Sequence, residues 1–249
     1  MNRTTKVDEL TEWFEQWFGE EYLKLYPHRD EHDAADAVSL ISETVALGDR
    51  RVLDLACGPG RHAKQLREVG ADVVGFDLSM PLLSRARHRT SPPLTVVRGD
   101  MRHLPFRSGT FEVVINLFTS FGYFSDDGQH DAVLAQVATV LERNGTFVLD
   151  YFNSTALLAS LVTREERAIG SQQVVIERRF TEDGRFVLKE MHLMDDGRRF
   201  VEKVRLFTPR ELQDMINKAG LTIRERFGDY DGSRFSGESP RIIYFAERT

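Results

Sequence analysis

The sequence predicts an α/β fold built around a mostly parallel sheet, and three observations lead to this prediction. Between residues 51 and 152, apolar strand-like runs alternate with amphipathic helical segments, which is typical of parallel strands joined by crossover helices. The first of these runs leads directly into a glycine turn at Gly58 and Gly60. From residue 172 to 207 the pattern changes to short strands separated by Asp-Gly pairs, which indicates antiparallel hairpins.

Length and composition are those of a globular protein. The chain has 249 residues, of which 41% are hydrophobic and 29% charged, so it is long enough for one α/β domain with an elaboration. A net charge of −6 without a basic block argues against a nucleic-acid partner. No apolar run approaches the roughly 20 residues of a membrane span, no signal peptide is recognised, and Cys57 is the only cysteine. We therefore expect a cytoplasmic protein that has no membrane partner.

Two helical segments precede the first strand. Apolar and aromatic residues recur at helical spacing from residue 7 to 26, and Pro27 ends this pattern. A second amphipathic segment covers residues 33 to 47 and ends before Gly48. Both segments are predicted to be helices that pack their apolar faces inward.

Five strands and three helices then follow up to residue 152. The predicted strands share a buried, apolar character and cover residues 50–56, 71–77, 94–100, 110–118 and 146–152. The predicted helices are residues 60–69, the segment that Ser79 caps with Pro81 in its first turn, and residues 129–142. This order favours right-handed crossovers between parallel strands.

The rest of the chain predicts an antiparallel insertion and a return to the sheet. Three strand-like runs are joined by Asp183-Gly184 and Asp196-Gly197. Residues 208–211 form a capping box with proline at the first helical position, which predicts a helix start. Residues 221–227 and 241–248 are predicted as the last two strands.

Carboxylates stand near the ends of three predicted strands. Asp54, Asp77 and Asp100 follow one another at intervals of 23 residues. In an open α/β sheet the carboxyl ends of the strands face one crevice, so these acids are expected to share a site. Because Gly58 and Gly60 also fit the spacing of a dinucleotide-binding turn, the residues alone leave open whether the ligand is NAD or another adenosine-bearing molecule.

Five segments are similar, in order, to the motifs of class I S-adenosylmethionine-dependent methyltransferases. They are VLDLACGPGRHA, VVGFDLS, VVRGDMRHLPF, FEVVINLFTSFGYF and LERNGTFVLDYF, which together span residues 51 to 152. The resemblance implies a Rossmann-like, seven-stranded, mostly parallel sheet with helices on both faces and an antiparallel last strand. It also implies S-adenosylmethionine as cofactor, S-adenosylhomocysteine as product, and in-line methyl transfer to a nitrogen or oxygen nucleophile of a small molecule.

The same resemblance divides the chain into four parts. Residues 1–47 are expected to form a helical lid, 48–170 the cofactor-binding core, and 208–249 the helix and strand pair that completes the core. Residues 171–207 form the three-stranded antiparallel insertion. This insertion is expected either to cap the substrate or to provide the surface of a homodimer.

The resemblance also assigns the cofactor-binding residues. Asp77 is expected to bind both ribose hydroxyls, and Asp100 the adenine amino group. An aromatic residue of the lid, Tyr22, is expected to cover the cofactor, and Arg29 to pair with its carboxylate. The full expected set is Tyr22, Arg29, Asp54, Ala56, Gly58, Gly60, Asp77, Leu78, Asp100, Met101, Leu117 and Phe118.

The residues that carry the chemistry are less clearly indicated. A general base is needed only for an acceptor that binds in its protonated form, and the catalytic candidates are Tyr26, His28 and Tyr123. The seven histidines show no paired ligand spacing, so no metal site is expected. Two alternatives stay open, a protein that binds the cofactor without catalysis and an NAD-dependent oxidoreductase.

Overall fold

The computed structural model describes residues 12–26, 31–169 and 172–249. The N-terminal helices are Trp13–Trp17 (α1), Glu20–Leu25 (α2) and Glu31–Thr44 (α3). The described part of the helix predicted over residues 7–26 is therefore two short helices. The chain turns between them at Gly19, whose extended backbone forms the N-cap of α2. Within the described residues, no helix combines the length and the hydrophobicity that a bilayer crossing requires.

The next elements alternate as predicted. In chain order they are Arg51–Leu55 (β1), Arg61–Glu68 (α4), Asp72–Asp77 (β2), Met80–Arg87 (α5), Thr95–Arg98 (β3), Phe111–Asn116 (β4), Asp127–Val140 (α6) and Leu141–Phe152 (β5). Ser79 caps α5 by accepting a hydrogen bond from the backbone N–H of Leu82, at 3.3 Å. The predicted cap is thus present in the structure.

A second group of strands follows β5. Its elements are Ser154–Ser160 (α7), Arg164–Ile169 (β6), Gln172–Phe180 (β7), Phe186–Leu193 (β8) and Arg199–Arg205 (β9). The four strands form a separate antiparallel sheet in the order β6-β7-β8-β9. This sheet has one strand more than the three predicted, and it begins before residue 171. The additional strand, β6, has the sequence REERAI, in which four consecutive charged residues hide the alternation that marks a strand.

The chain then returns to the first sheet. Its last elements are Pro209–Lys218 (α8), Leu221–Phe227 (β10) and Arg241–Arg248 (β11). The seven strands of this sheet have the order β10-β11-β5-β4-β1-β2-β3. The strand pairs from β5 to β3 are parallel, whereas β11 is antiparallel to both β5 and β10. This arrangement confirms the predicted mostly parallel sheet with an antiparallel last strand.

Helices cover both faces of the first sheet. Along β4, Val113 and Ile115 belong to one hydrophobic core and Val114 belongs to the other, because successive side chains of a strand point to opposite faces. The first core also contains residues of α3 and α4, and the second contains residues of α6 and α8. The sheet is therefore fixed from both sides, which holds its carboxyl edge in a defined geometry.

Candidate active site

A cavity of about 430 Å³ lies at the carboxyl ends of β1, β2 and β4. The loops that follow these strands and the helices α1 and α2 form its wall. The predicted residues that line it are Tyr22, Ala56, Gly58, Asp77, Leu78, Asp100, Met101, Leu117, Phe118 and Tyr123. The structure therefore brings together most of the residues that the sequence singled out.

The glycine turn after β1 forms the floor of the cavity. Ala56, Gly58 and Gly60 all have positive φ angles, of 60°, 54° and 77°. A Cβ atom at Gly60 would lie 2.9 Å from the Cβ of Ala86 in α5, so only glycine fits this position. Gly60 does not line the cavity. It contributes by letting α4 begin close against α5, directly behind the turn.

Asp77 at the end of β2 ties the second loop to the glycine turn. Its carboxylate accepts hydrogen bonds from the backbone N–H groups of Gly58 and Ser79, each at 2.8 Å. Burial raises the pKa of Asp77, and these hydrogen bonds oppose the rise. Each carboxylate oxygen can accept a further hydrogen bond, so Asp77 keeps acceptor capacity toward the cavity.

Asp54 lies behind the cavity wall. It is 1% exposed, and it accepts a hydrogen bond from the backbone N–H of Ala63 in the first turn of α4. Burial, followed by the nearby charge of Asp77, raises the pKa of Asp54 to about 7. Asp54 is thus placed to orient the start of α4, and unlike most residues of the expected cofactor-binding set it does not line the cavity.

Asp100 follows β3 and also lines the cavity. Its carboxylate accepts hydrogen bonds from the backbone N–H of Arg102, at 2.8 Å, and from the guanidinium group of the same residue. Partial burial raises the pKa of Asp100, but the hydrogen bonds from Arg102 outweigh it, and the pKa lies below the ordinary value. The Arg102 guanidinium in turn lies 4.7 Å from the ring centroid of Phe124. Asp100 is therefore ionised and held in place.

Aromatic rings from the N-terminal helices and from the loop after β4 form the roof of the cavity. The Phe18 ring lies 5.0 Å from that of Tyr22 and 5.6 Å from that of Tyr123, measured between centroids. Phe14 is 6.4 Å from Tyr123 and stacked on it. Tyr22 and Tyr123, both predicted to be site residues, belong to this roof.

The other predicted residues of the N-terminal segment are not brought to the cavity. Tyr26 does not line it. Its hydroxyl donates to Oε1 of Glu202 in β9, at 2.8 Å, and the indole Nε1 of Trp17 donates to the same oxygen at 2.9 Å. His28 and Arg29 lie outside the described residues. The second sheet therefore determines the position of Tyr26, a long-range effect that helical spacing alone does not reveal.

Among the site residues that were not predicted, two belong to the glycine-turn motif. Arg61 and His62, in the first turn of α4, line the cavity. His62 is 5% exposed, and its Nε2 atom has no hydrogen-bond partner among the described residues. Burial, followed by the charges of Arg61 and Arg241, lowers the pKa of His62 to about 3. The signal available in the sequence was their position directly after Gly60, where the first turn of a helix faces a ligand.

A buried polar network holds the cavity wall after β4. The Asp150 carboxylate on β5 accepts a hydrogen bond from the backbone N–H of Phe118 at 2.7 Å, from the Tyr230 hydroxyl, and from Arg241 at 3.2 Å. Phe118 and Thr119 both have a φ of 58°, which is uncommon for residues with a side chain. The network therefore stabilises a strained loop that borders the site.

Changing Tyr230 to phenylalanine tests this network. We expect Tyr230→Phe to lower the free energy of unfolding by about 1.5 kcal/mol, because the lost hydrogen bond has a carboxylate acceptor. Tyr244→Phe is the matched control. The Tyr244 hydroxyl donates a hydrogen bond to the neutral carbonyl of Pro209 at 2.7 Å, so Tyr244→Phe is expected to lower the free energy of unfolding by about 1 kcal/mol. Urea denaturation measures the free energy of unfolding of both variants. A decrease in Tyr230→Phe no larger than that in Tyr244→Phe would contradict the stabilising role of the Tyr230–Asp150 hydrogen bond.

Comparisons with known proteins agree with this geometry. Residues 52–145 match a family model described as a methyltransferase domain. Over 195 residues the chain is 30% identical to dTDP-3-amino-3,4,6-trideoxy-alpha-D-glucopyranose N,N-dimethyltransferase of Streptomyces venezuelae, covering 73% of this chain and 79% of that protein. The chain belongs to the class I S-adenosylmethionine-dependent methyltransferases.

Solved methyltransferase structures show the same fold. The CcbJ methyltransferase from Streptomyces caelestis superposes with a TM-score of 0.80 at 22% identity, covering 94% of this chain and 99% of that one. CalS10, an amino pentose methyltransferase from Micromonospora echinaspora solved with S-adenosylmethionine bound, gives a TM-score of 0.69 at 25% identity, covering 92% and 95%. Members of this class use S-adenosylmethionine, which confirms the predicted enzyme class and cofactor over the NAD-dependent alternative.

The residues of the cavity fit this cofactor. The cavity volume of about 430 Å³ is in the range of small-ligand sites. Asp77 and Asp100 provide hydrogen-bond acceptors for hydroxyl and amino groups, and the roof provides aromatic faces for a cation. The buried Nε2 atom of His62 offers a further polar contact. The methyltransferase cavity therefore supplies polar and aromatic partners for a cationic nucleoside.

Proposed function

We propose that this methyltransferase methylates an amine nitrogen of a small molecule, with amino sugars as the first acceptor class to test. The observation that carries the proposal is the aromatic roof of the cavity, in which ring contacts connect Phe14 to Tyr123, Tyr123 to Phe18, and Phe18 to Tyr22. Aromatic faces attract ammonium groups, the protonated form in equilibrium with the neutral amine, and a neutral hydroxyl has no such charged form.

The relatives support an amine acceptor. The Streptomyces venezuelae protein is named an N,N-dimethyltransferase of an amino sugar nucleotide, and CalS10 is described as an amino pentose methyltransferase. An amine in its neutral form carries its own lone pair, so no strong base is required. This agrees with a cavity whose buried histidine, His62, has a pKa of about 3 and is a weak base.

The chain contributes mainly by orientation. When bound, S-adenosylmethionine would supply a methyl group on its sulfonium, with S-adenosylhomocysteine as the leaving group. Asp77, Asp100 and the glycine turn hold the donor side, and the aromatic roof excludes water from the acceptor side. Among the described catalytic candidates, Tyr123 lines the cavity and Tyr26 does not. We assign to the Tyr123 oxygen the role of accepting a hydrogen bond from the N–H group of the substrate amine. This hydrogen bond would direct the nitrogen lone pair toward the methyl donor.

Product identification tests the proposed function. The purified enzyme is incubated with S-adenosylmethionine carrying a ¹³C methyl group and with pairs of sugars that differ only in an amino or a hydroxyl group. We expect N-methyl signals in the NMR spectrum of the amino members and none from the hydroxyl members. An O-methyl product would contradict the proposal. Absence of any product above cofactor breakdown across the panel would favour a binding protein without catalysis.

Replacing Tyr123 by phenylalanine tests its role. We expect kcat to fall about tenfold, the effect of one lost hydrogen bond, while the affinity for S-adenosylhomocysteine stays unchanged. Tyr22→Phe is the matched control, because Tyr22 lies in the same aromatic roof and has no assigned contact with the acceptor. Equal losses of kcat in the two variants would show that the Tyr123 hydroxyl has no specific role.

A further inference from the structure

The first turn of α4 contains a buried polar atom that the assigned contacts leave unexplained. His62 lines the cavity and is 5% exposed, yet its Nε2 atom forms no hydrogen bond within the described residues. A buried polar atom without a partner reduces stability, so native proteins rarely keep one without a reason. The position of His62 in the cavity wall suggests that its partner is a bound ligand.

The surroundings of His62 favour an anion. Its ring lies 5.0 Å from the ring of Phe118, and the guanidinium groups of Arg61 and Arg241 lie 5.0 and 5.1 Å from the same ring centroid. Asp150 pairs with Arg241, at 3.2 Å. The N-terminus of α4 adds the positive end of a helix dipole. The charges of Arg61 and Arg241 therefore disfavour a cation at the His62 imidazole.

The imidazole is a neutral donor in this setting. Burial and the two arginine charges lower the pKa of His62 to about 3, so the ring carries one N–H proton and no charge near neutral pH. A neutral N–H group can bind an anion without the free-energy cost of removing a charged donor from water. The cofactor has a sulfonium, an ammonium and a carboxylate, and only the carboxylate is an anion.

We propose that His62 donates a hydrogen bond from Nε2 to the α-carboxylate in the methionine part of the cofactor. This role is independent of the acceptor and therefore of the proposed function. It adds a described residue to the carboxylate contact that the sequence resemblance gave to Arg29. It also explains why a histidine occupies the helix turn next to the apolar Ala63 and Leu66.

Calorimetric titration with two ligands tests the proposal. S-adenosylhomocysteine and its decarboxylated analogue, S-adenosyl-3-thiopropylamine, differ only in the carboxylate. We expect His62→Leu to weaken binding of S-adenosylhomocysteine about tenfold and to change binding of the analogue by less than about twofold. His62→Gln, whose amide nitrogen replaces Nε2, is expected to keep most of the affinity. His32→Leu, at an exposed histidine of α3, is the control and should change neither affinity.

The outcomes separate a ligand contact from a structural role. Equal weakening for both ligands, or no weakening for either, would overturn the proposal. If His62→Leu does not fold, His62→Asn takes its place, because its shorter amide reaches only the Nδ1 position. The affinity for S-adenosylhomocysteine divided by the affinity for the analogue should then be lower in His62→Asn than in the wild type and unchanged in His62→Gln. The reverse order would overturn the proposal. No acceptor enters these measurements, so they are independent of the test for N-methylation.

Discussion

The contribution of one carboxyl group, that of Asp54, to the free energy of unfolding is expected to fall by roughly 4 kcal/mol between about pH 4 and about pH 8. In the folded protein the pKa of Asp54 is raised to about 7 by burial and by the charge of Asp77, from an ordinary value of 3.8. The folded state therefore keeps a proton that the unfolded chain has already released. The stabilisation is complete below the unfolded pKa and is lost as the pH rises through the folded pKa.

Replacing Asp54 by asparagine isolates this contribution. Urea denaturation of both proteins over a pH series measures the difference in unfolding free energy. We expect Asp54→Asn to gain stability relative to the wild type as the pH rises from about 4 to about 8. Asp72→Asn, at an exposed aspartate on β2, is the control and should show no such trend. Parallel pH curves for the wild type and Asp54→Asn would contradict the elevated pKa.

Replacing Asp77 by alanine is expected to weaken binding of S-adenosylhomocysteine by about 2 kcal/mol, which is roughly 30-fold. Two losses combine. The carboxylate is expected to bind the ribose hydroxyls. It also accepts hydrogen bonds from the backbone N–H groups of Gly58 and Ser79, which hold the glycine turn and the loop after β2. Isothermal titration calorimetry measures the affinity directly.

Asparagine at position 77 provides the graded comparison. Asparagine has no charge, but its amide oxygen is still a hydrogen-bond acceptor for the glycine turn. The affinity of Asp77→Asn for S-adenosylhomocysteine is therefore expected to lie between those of the wild type and Asp77→Ala. An unchanged affinity in Asp77→Ala would exclude the ribose contact. A similar loss in both variants would show that the second carboxylate oxygen makes the essential contact.

The parallel sheet was predictable because its signals are local. Each strand from β1 to β5 is a short apolar run, and turn or cap residues separate it from the next helix. The capping box of α8 was also evident from four residues, and the structure shows both of its hydrogen bonds between Thr208 and Glu211. By contrast, β6 is paired along one edge only and carries mostly charged side chains, so its own sequence gives no apolar alternation.

The site was predicted in part, for reasons that the strand geometry explains. Asp77 is the last residue of β2 and Asp100 follows β3, so both reach the crevice. Asp54 lies inside β1, between Leu53 and Leu55, and side-chain alternation turns it to the opposite face, toward α4. The acids share an edge of the sheet, but only two of them line the cavity.

The remaining parts of the site depend on contacts between distant segments. Asp150 meets Phe118 and Tyr230 across 32 and 80 positions of the chain. Tyr26 meets Glu202 across 176 positions. No local pattern encodes such pairs, which is why the network behind Phe118 and the displacement of Tyr26 from the cavity were not predicted.

The shared acceptor oxygen of Glu202 couples the two short helices above the cavity. Trp17 of α1 and Tyr26 after α2 both donate to it, and Lys189 stands 3.6 Å from the other oxygen of the same carboxylate. Moving either helix away from β9 would break a hydrogen bond to the largely buried Glu202 carboxylate. The remaining donor would then be the only one of the two that holds this oxygen. The position of the helices over the cavity therefore depends on a sheet that contributes no described residue to the cavity lining, and a substitution in β8 or β9 that removes Lys189 or Glu202 is expected to displace the aromatic roof.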